Sequence, residues 1–182
     1  MQFEKLAIPD VVLCKPNVFA DDRGYFVETF HQKKLEEFIG KSLNFCQDNE
    51  AKSTKNVLRG LHYQLPPHAQ SKLVRVVKGS VLDVVVDVRK NSPTFGKHLT
   101  VELNDIDKHQ LFIPKGFAHG YLVLSNEVIF AYKVDAYYNP KSEAGILYND
   151  PQLDINWQVN ENDLIISEKD KIQSLLKNAK YL

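Results

Sequence analysis

Short runs of Val, Ile, Leu, Phe and Tyr recur along this chain, each closed by Gly, Pro, Asn or Ser. Runs of that length are too short for most helices and fit strands separated by turns. Residues 71–77, the turn Lys78-Gly79-Ser80 and residues 81–88 have the pattern of a glycine-closed hairpin. Residues 96–103, 110–113, 120–124 and 128–134 supply further strands. Two helices are expected. Residues 33–39 set Leu35, Phe38 and Ile39 at helical spacing, with Gly40 at the C-cap position. Near the end, Ser167 is placed to cap a helix, Asp170 follows three residues later, and Ile172, Leu175 and Leu176 form an apolar stripe. Many strands and few helices predict an all-β sandwich or barrel of the jelly-roll kind, with residues 1–182 as one domain. Such a barrel can hold a small ligand among inward-pointing side chains.

Composition excludes several functions. The 23 basic and 23 acidic residues cancel, which argues against a nucleic-acid binder. Cys14 and Cys46 are far apart with no paired spacing, so neither a disulfide framework nor a thiolate zinc site is expected. With 182 residues, the chain can bury enough surface to fold without such staples. The opening residues include acids and no apolar core of a signal peptide, and residues 81–88 are too short to span a bilayer. The expected location is the cytoplasm.

Strand parity then isolates unusual residues. Leu82, Val84, Val86 and Val88 make one wholly apolar face, while Asp83 and Asp87 lie on the other. Carboxylates in such a strand must be paired or chemically active, and Arg75 and Arg89 are candidate partners. In residues 57–64, alternation separates Arg59 from His62, unless Gly60 marks a bulge that turns both toward one cavity. Gln47, Asn49, Gln64 and Lys72 add polar groups nearby in sequence. Tyr132 is the sole hydroxyl on the face of Val128, Phe130 and Val134. His119 falls on a Gly/Pro-rich loop before a strand, the sort of position that often carries function. Arg23, at a glycine turn, and Glu28 read as a solvated salt bridge. No His-x-His pair followed by Glu is present, so a cupin-type metal site is not expected.

Taken in order, the stretches 22–30 (DRGYFVETF), 47–49 (QDN), 58–64 (LRGLHYQ), 72–74 (KLV), 79–89, 92–96 (SPTFG), 114–120 (PKGFAHG), Tyr132-Lys133, Tyr137-Tyr138, 149–151 (NDP), Trp157 and 167–170 (SEKD) resemble the dTDP-4-dehydrorhamnose 3,5-epimerase family. Ala136 and Gln158 depart from its usual pattern. The resemblance implies a cupin-like jelly-roll β-barrel, a homodimer, no metal and no organic cofactor. It implies a dTDP-linked 4-keto-6-deoxy sugar inverted at C3 and C5; inversion of one centre alone is the alternative. It implies His62 as proton acceptor, Tyr132 as donor, Asp170 as orienter of His62, and Lys72 facing the sugar oxygen. Arg23, Glu28, Gln47, Asp48, Asn49, Arg59, His119, Glu143 and Lys169 match substrate-binding positions. Phe26 and Tyr138 match thymine-binding positions, with Phe26 reaching across the dimer. Asp83 competes with Asp170 for His62, because it too lies on an expected barrel strand.

The chemistry suits these residue types. A C4 ketone acidifies the hydrogens on C3 and C5. Neutral imidazole can take one, a phenol can return one, and an ammonium can stabilise the enolate oxygen. Arginine forks suit a pyrophosphate, and aromatic rings suit thymine.

Overall fold

The structure is a computed structural model and describes residues 1–181. In chain order its elements are β1 (Gln2–Lys5), β2 (Val12–Lys15), β3 (Val18–Asp21), β4 (Gly24–Val27), α1 (Gln32–Ile39), β5 (Gln47–Thr54) and β6 (Val57–Gln64). They continue with β7 (Lys72–Lys78), β8 (Ser80–Asp87), β9 (His98–Asn104), β10 (Gln110–Ile113), β11 (Phe117–Val123) and β12 (Glu127–Val134). Last come β13 (Glu143–Gly145), β14 (Ile165–Ile166) and α2 (Glu168–Lys171). One sheet runs β1-β2-β10-β7-β12-β5; the other runs β13-β6-β11-β8-β9, with β14 beside β6.

The sheets pack face to face. Val74, Leu111, Ile113, Val128 and Phe130 of the first meet Val81, Val85, Phe117, Tyr121 and Val123 of the second. Strand β8 lies between β11 and β9 and is buried on both faces. Its even residues pack on Ile146, Leu153, Trp157 and Leu176 of the C-terminal segment, and its odd residues face the other sheet. Helix α1 covers part of the outer face of the first sheet by setting Leu35 against Val12, Cys14, Leu73 and Phe112. Eight residues are too few for a stable helix alone. Burial of Leu35, worth roughly 1.5–3 kcal/mol, helps hold it.

Three expectations change. First, the ladders do not close into a barrel: β5 and β9 remain edges. Strand β5 reads Gln-Asp-Asn-Glu-Ala-Lys-Ser-Thr, and charged side chains on an edge discourage further pairing. Second, residues 71–88 form no hairpin. Strand β7 pairs with β10 and β12, while β8 pairs with β9 and β11 in the other sheet. Gly79 makes the crossing at φ +87°, where a Cβ would sit 2.2 Å from the Glu127 carbonyl oxygen. Third, α2 is a single turn. Ser167 caps it as expected, but Ile172 is exposed and the apolar stripe does not form; Leu176 enters the core from a separate 3-10 turn.

The hairpin β3–β4 pairs with neither sheet. It leaves Phe19 and Phe26 62% and 68% exposed. Among the described residues, no helix is long and apolar enough to cross a membrane.

Candidate active site

A cavity of about 540 Å³ opens between the sheets. Arg59 and His62 enter it from β6, Lys72 from β7, His119 and Tyr121 from β11, Tyr132 from β12, and Lys169 and Asp170 from α2. In the β6–β11 ladder, His62 opposes His119 and Arg59 opposes Tyr121, so Gly60 and Leu61 together face Gly120. Two residues against one is a β-bulge, and it brings Arg59 and His62 to the same side. Gly60 sits at φ +135°, and a Cβ there would meet the Gly120 Cα at 2.5 Å. Only glycine fits such a close backbone approach.

His62 Nε2 lies 2.6 Å from Asp170 Oδ1. The Gly60 amide donates to Asp170 Oδ2 at 3.4 Å. Burial pushes the Asp170 carboxyl up, but its bonds to His62 and Gly60 outweigh that and leave its pKa below the ordinary value. The capping bond from the Asp170 amide to Ser167 Oγ occupies only the backbone, so the carboxylate is free to cross to β6.

The rival carboxylate has another partner. Asp83 is fully buried, and its Oδ2 lies 2.8 Å from His119 Nε2. Asp83 therefore pairs with an imidazole and not with an arginine. The expected arginine pairing forms at Asp87, whose Oδ2 accepts from Arg89 Nη2 at 2.7 Å. The difference is one of place. Asp87 ends β8 beside the Arg89 turn, whereas Asp83 lies mid-strand against β11. His119 likewise sits within β11, not on a loop before it.

Lys72 and Tyr132 also have shifted acidities. Burial lowers the Lys72 pKa to about 8, with the Asp83 charge opposing. Burial raises the Tyr132 phenol above its ordinary value, with Arg59 opposing. At the mouth, Tyr138 donates to Glu143 Oε2 at 2.9 Å, and Lys169 pairs with the other oxygen of Glu143. Arg59 Nε donates to Ser53 Oγ at 3.0 Å.

Other expected site residues lie apart. Asn49 opposes Tyr132 on β5 and accepts from Gln47 Nε2 at 2.7 Å, so both point toward the second sheet. Asp48 points the opposite way, to Lys133 at 2.8 Å. Arg23 and Phe26 stand on the β3–β4 hairpin, away from the cavity. Arg23 and Glu28 do not pair with each other. Arg23 Nε bonds Asp21 at 3.1 Å, and Glu28 bonds Lys34 at 3.1 Å. Each thus finds a cation or carboxylate nearer in its own loop or helix.

Sequence reading missed Tyr121. The available signal was parity: it stands two residues beyond His119 and so shares its strand face. Among the described residues, no group of three or more His, Cys, Asp or Glu is placed to hold a metal ion.

A carboxylate-paired imidazole, a phenol held in its neutral form and a half-buried lysine around one cavity are the parts of an acid–base isomerase on a β-sheet scaffold. Comparison with known proteins makes this specific. The family model for dTDP-4-dehydrorhamnose 3,5-epimerase matches residues 5–178, and the chain belongs to that family. It is 54% identical over 170 residues to the dTDP-4-dehydrorhamnose 3,5-epimerase of Shigella flexneri, covering 93% of each chain. Its fold superposes on the crystal structure of the Elizabethkingia anophelis enzyme of that name with a TM-score of 0.94, at 47% identity and covering 98% of this chain and 97% of that one. It superposes on a Legionella pneumophila epimerase in complex with dTDP-4-keto-L-rhamnose with a TM-score of 0.93, at 46% identity and 97% and 93% coverage.

Proposed function

We propose that the protein inverts C3 and C5 of dTDP-4-dehydro-6-deoxy-D-glucose to form dTDP-4-dehydro-L-rhamnose, a step of dTDP-L-rhamnose biosynthesis. The observation that carries this reading is the His62–Asp170 dyad opening into the same cavity as Tyr132 and Lys72. His62 takes the C3 or C5 proton. Its Nε2 is engaged by Asp170, which leaves Nδ1 to accept. The electron pair moves to the C4 oxygen, forming an enolate that the Lys72 ammonium stabilises. Tyr132 returns a proton to the opposite face of the ring, and the ketone re-forms. Asp170 fixes the imidazole tautomer and stabilises the imidazolium between the two steps. The substrate supplies its own electron sink, so no organic cofactor takes part.

Arg59, His119, Glu143, Lys169, Gln47 and Asn49 bind substrate in this reading, with Tyr138 at the thymine ring; Asp48, paired with Lys133 on the other face of the sheet, does not. The chain acts as one cupin-like jelly-roll domain in a homodimer. Support for the dimer comes from the β3–β4 hairpin, which exposes Val18, Phe19, Tyr25 and Phe26 and carries Arg23. Apolar surface of that kind calls for a partner, and it would bring Phe26, Arg23 and the adjacent Glu28 to the other subunit's nucleotide. Free thiols at Cys14 and Cys46 suit a reducing cytoplasm.

The test is incubation with the nucleotide sugar in D₂O, followed by NMR. Deuterium should enter both C3 and C5. Exchange at one carbon alone would make the protein a mono-epimerase, and exchange at neither would refute epimerisation.

The Lys72 acidity adds a pH dependence. Its charge is present below about pH 8 and is lost as the pH rises through that value. The enolate loses its counter-charge in the same direction. In the free enzyme, kcat/KM should therefore fall about tenfold per pH unit above about 8. The half-buried Tyr132 phenol ionises higher, so it does not set this limb. A plateau extending beyond pH 9.5 would remove the charged lysine from the mechanism.

A further inference from the structure

One histidine near the cavity mouth has no part in the proton transfers. His68 is half-buried in the turn that follows β6. Its two ring nitrogens hold two different residues of the segment leading into β13. The Asn139 side-chain amino group donates to Nε2 at 3.2 Å, and Nδ1 donates to Ser142 Oγ at 2.9 Å. These roles follow from Asn139, whose Oδ1 already accepts from the Lys141 amide at 2.9 Å. The amino group is therefore the part that faces the ring, so Nε2 accepts and the proton sits on Nδ1. Ser142 is 7% exposed, and a hydroxyl so buried needs such a partner.

The clasped segment carries two residues of the site. Tyr138 immediately precedes Asn139, and Glu143 immediately follows Ser142. Tyr138 donates to Glu143, which pairs with Lys169 at the cavity wall. Tyr137 and Tyr138 are 67% and 54% exposed, so packing in the core does not fix them. Polar stitches to residues 64–71 do so instead. The Ser71 amide donates to Asp135 Oδ1 at 2.6 Å, Gln70 Nε2 to the Ala136 carbonyl at 2.7 Å, and the Asn139 amide to Gln64 Oε1 at 2.9 Å. His68 grips both ends of the 3-10 turn Pro140–Ser142, the turn that separates Tyr138 from Glu143. An exposed aromatic ring that is already ordered binds a flat base without the entropy loss of being immobilised.

Building on the epimerase reading, we propose that His68 is a positioning residue of the nucleotide site, whose clasp on Asn139 and Ser142 holds Tyr138 beside Glu143 where the phenol ring meets thymine. It acts through Tyr138 and takes no part in either proton transfer.

The main variant is His68→Ala. Should it fail to fold, His68→Phe keeps the bulk of the ring without its nitrogens and carries the same test. Affinity for dTDP is measured by calorimetry, and kcat and KM for the nucleotide sugar are measured beside it. The Kd for dTDP should rise about fivefold, the cost of ordering one side chain on binding. KM should rise by a similar factor, with kcat within twofold. His68→Gln, whose side-chain oxygen can still accept from Asn139, should bring dTDP affinity back to within twofold of the wild type. On Tyr138→Ala protein, which has lost the ring being positioned, adding His68→Ala should weaken dTDP by less than a further twofold. Four results would overturn the proposal. Unchanged dTDP affinity, with or without a lower melting temperature, would make the clasp purely structural. A full fivefold loss on the Tyr138→Ala background would show that His68 does not act through Tyr138. A fall in kcat with KM unchanged would move its effect to the chemistry. No recovery in His68→Gln would show that the Asn139 bond is not what matters. Because dTDP binding involves no proton exchange, these failures are distinct from an absence of deuterium exchange in the wild type, which would sink the epimerase reading instead.

Discussion

Replacing His62 by Asn is expected to stop solvent deuterium from entering both C3 and C5, with kcat reduced at least about 10³-fold. One base serves both carbons in this mechanism, so the two exchanges should vanish together. The fold should survive. The His62 side chain is about one-third exposed (32%), so water can reach the space that the shorter Asn leaves beside Asp170. The carboxylate keeps its bond from the Gly60 amide. Circular dichroism would check the fold, and NMR in D₂O would check the exchange. Residual exchange at C5 alone would mean that a second base serves that carbon. His119 is the nearest imidazole to consider, since it opposes His62 in the β6–β11 ladder and is already paired with a carboxylate.

Replacing Tyr132 by Phe should separate the two halves of the reaction. His62 remains to remove protons, so deuterium still washes into the substrate. Delivery to the opposite face has lost its acid, and formation of the L-configured product should fall about 10²- to 10⁴-fold. The burial that raises the Tyr132 pKa keeps its phenol protonated at neutral pH, as this role requires. Stability should change little, because the ring stays beside Phe130. Exchange is read by NMR, and product by its coupling constants or by reduction and chromatography. Inversion at the normal rate would transfer the acid role elsewhere.

Much of the scaffold was readable because strand parity is local. Side chains alternate whatever a strand pairs with. Thus the apolar face of β8, the position of Tyr132 on β12 and the glycine cap of α1 could all be read from nearest neighbours. The main failures in topology were matters of adjacency. A glycine turn between β7 and β8 looks the same whether the chain folds back or crosses to another sheet. Gly79 decides nothing alone; the Glu127 backbone packed against it shows which happened. Strand β5 went unseen as a strand because it is mostly polar, and an edge strand needs few apolar residues.

The site divides along the same line. Sequence alone determined that this chain carries an imidazole, a phenol and an ammonium suited to enolate chemistry, and which motifs hold them. Only the tertiary structure decided that Asp170, more than a hundred residues further on, reaches His62 while Asp83 holds His119. Only it showed the bulge that turns Arg59 and His62 to one side, and the clasp of His68 on Asn139 and Ser142. The reason is physical. Residue type and parity are properties of a segment, but a hydrogen bond depends on which segments are neighbours in space, and that is settled by packing of the whole core.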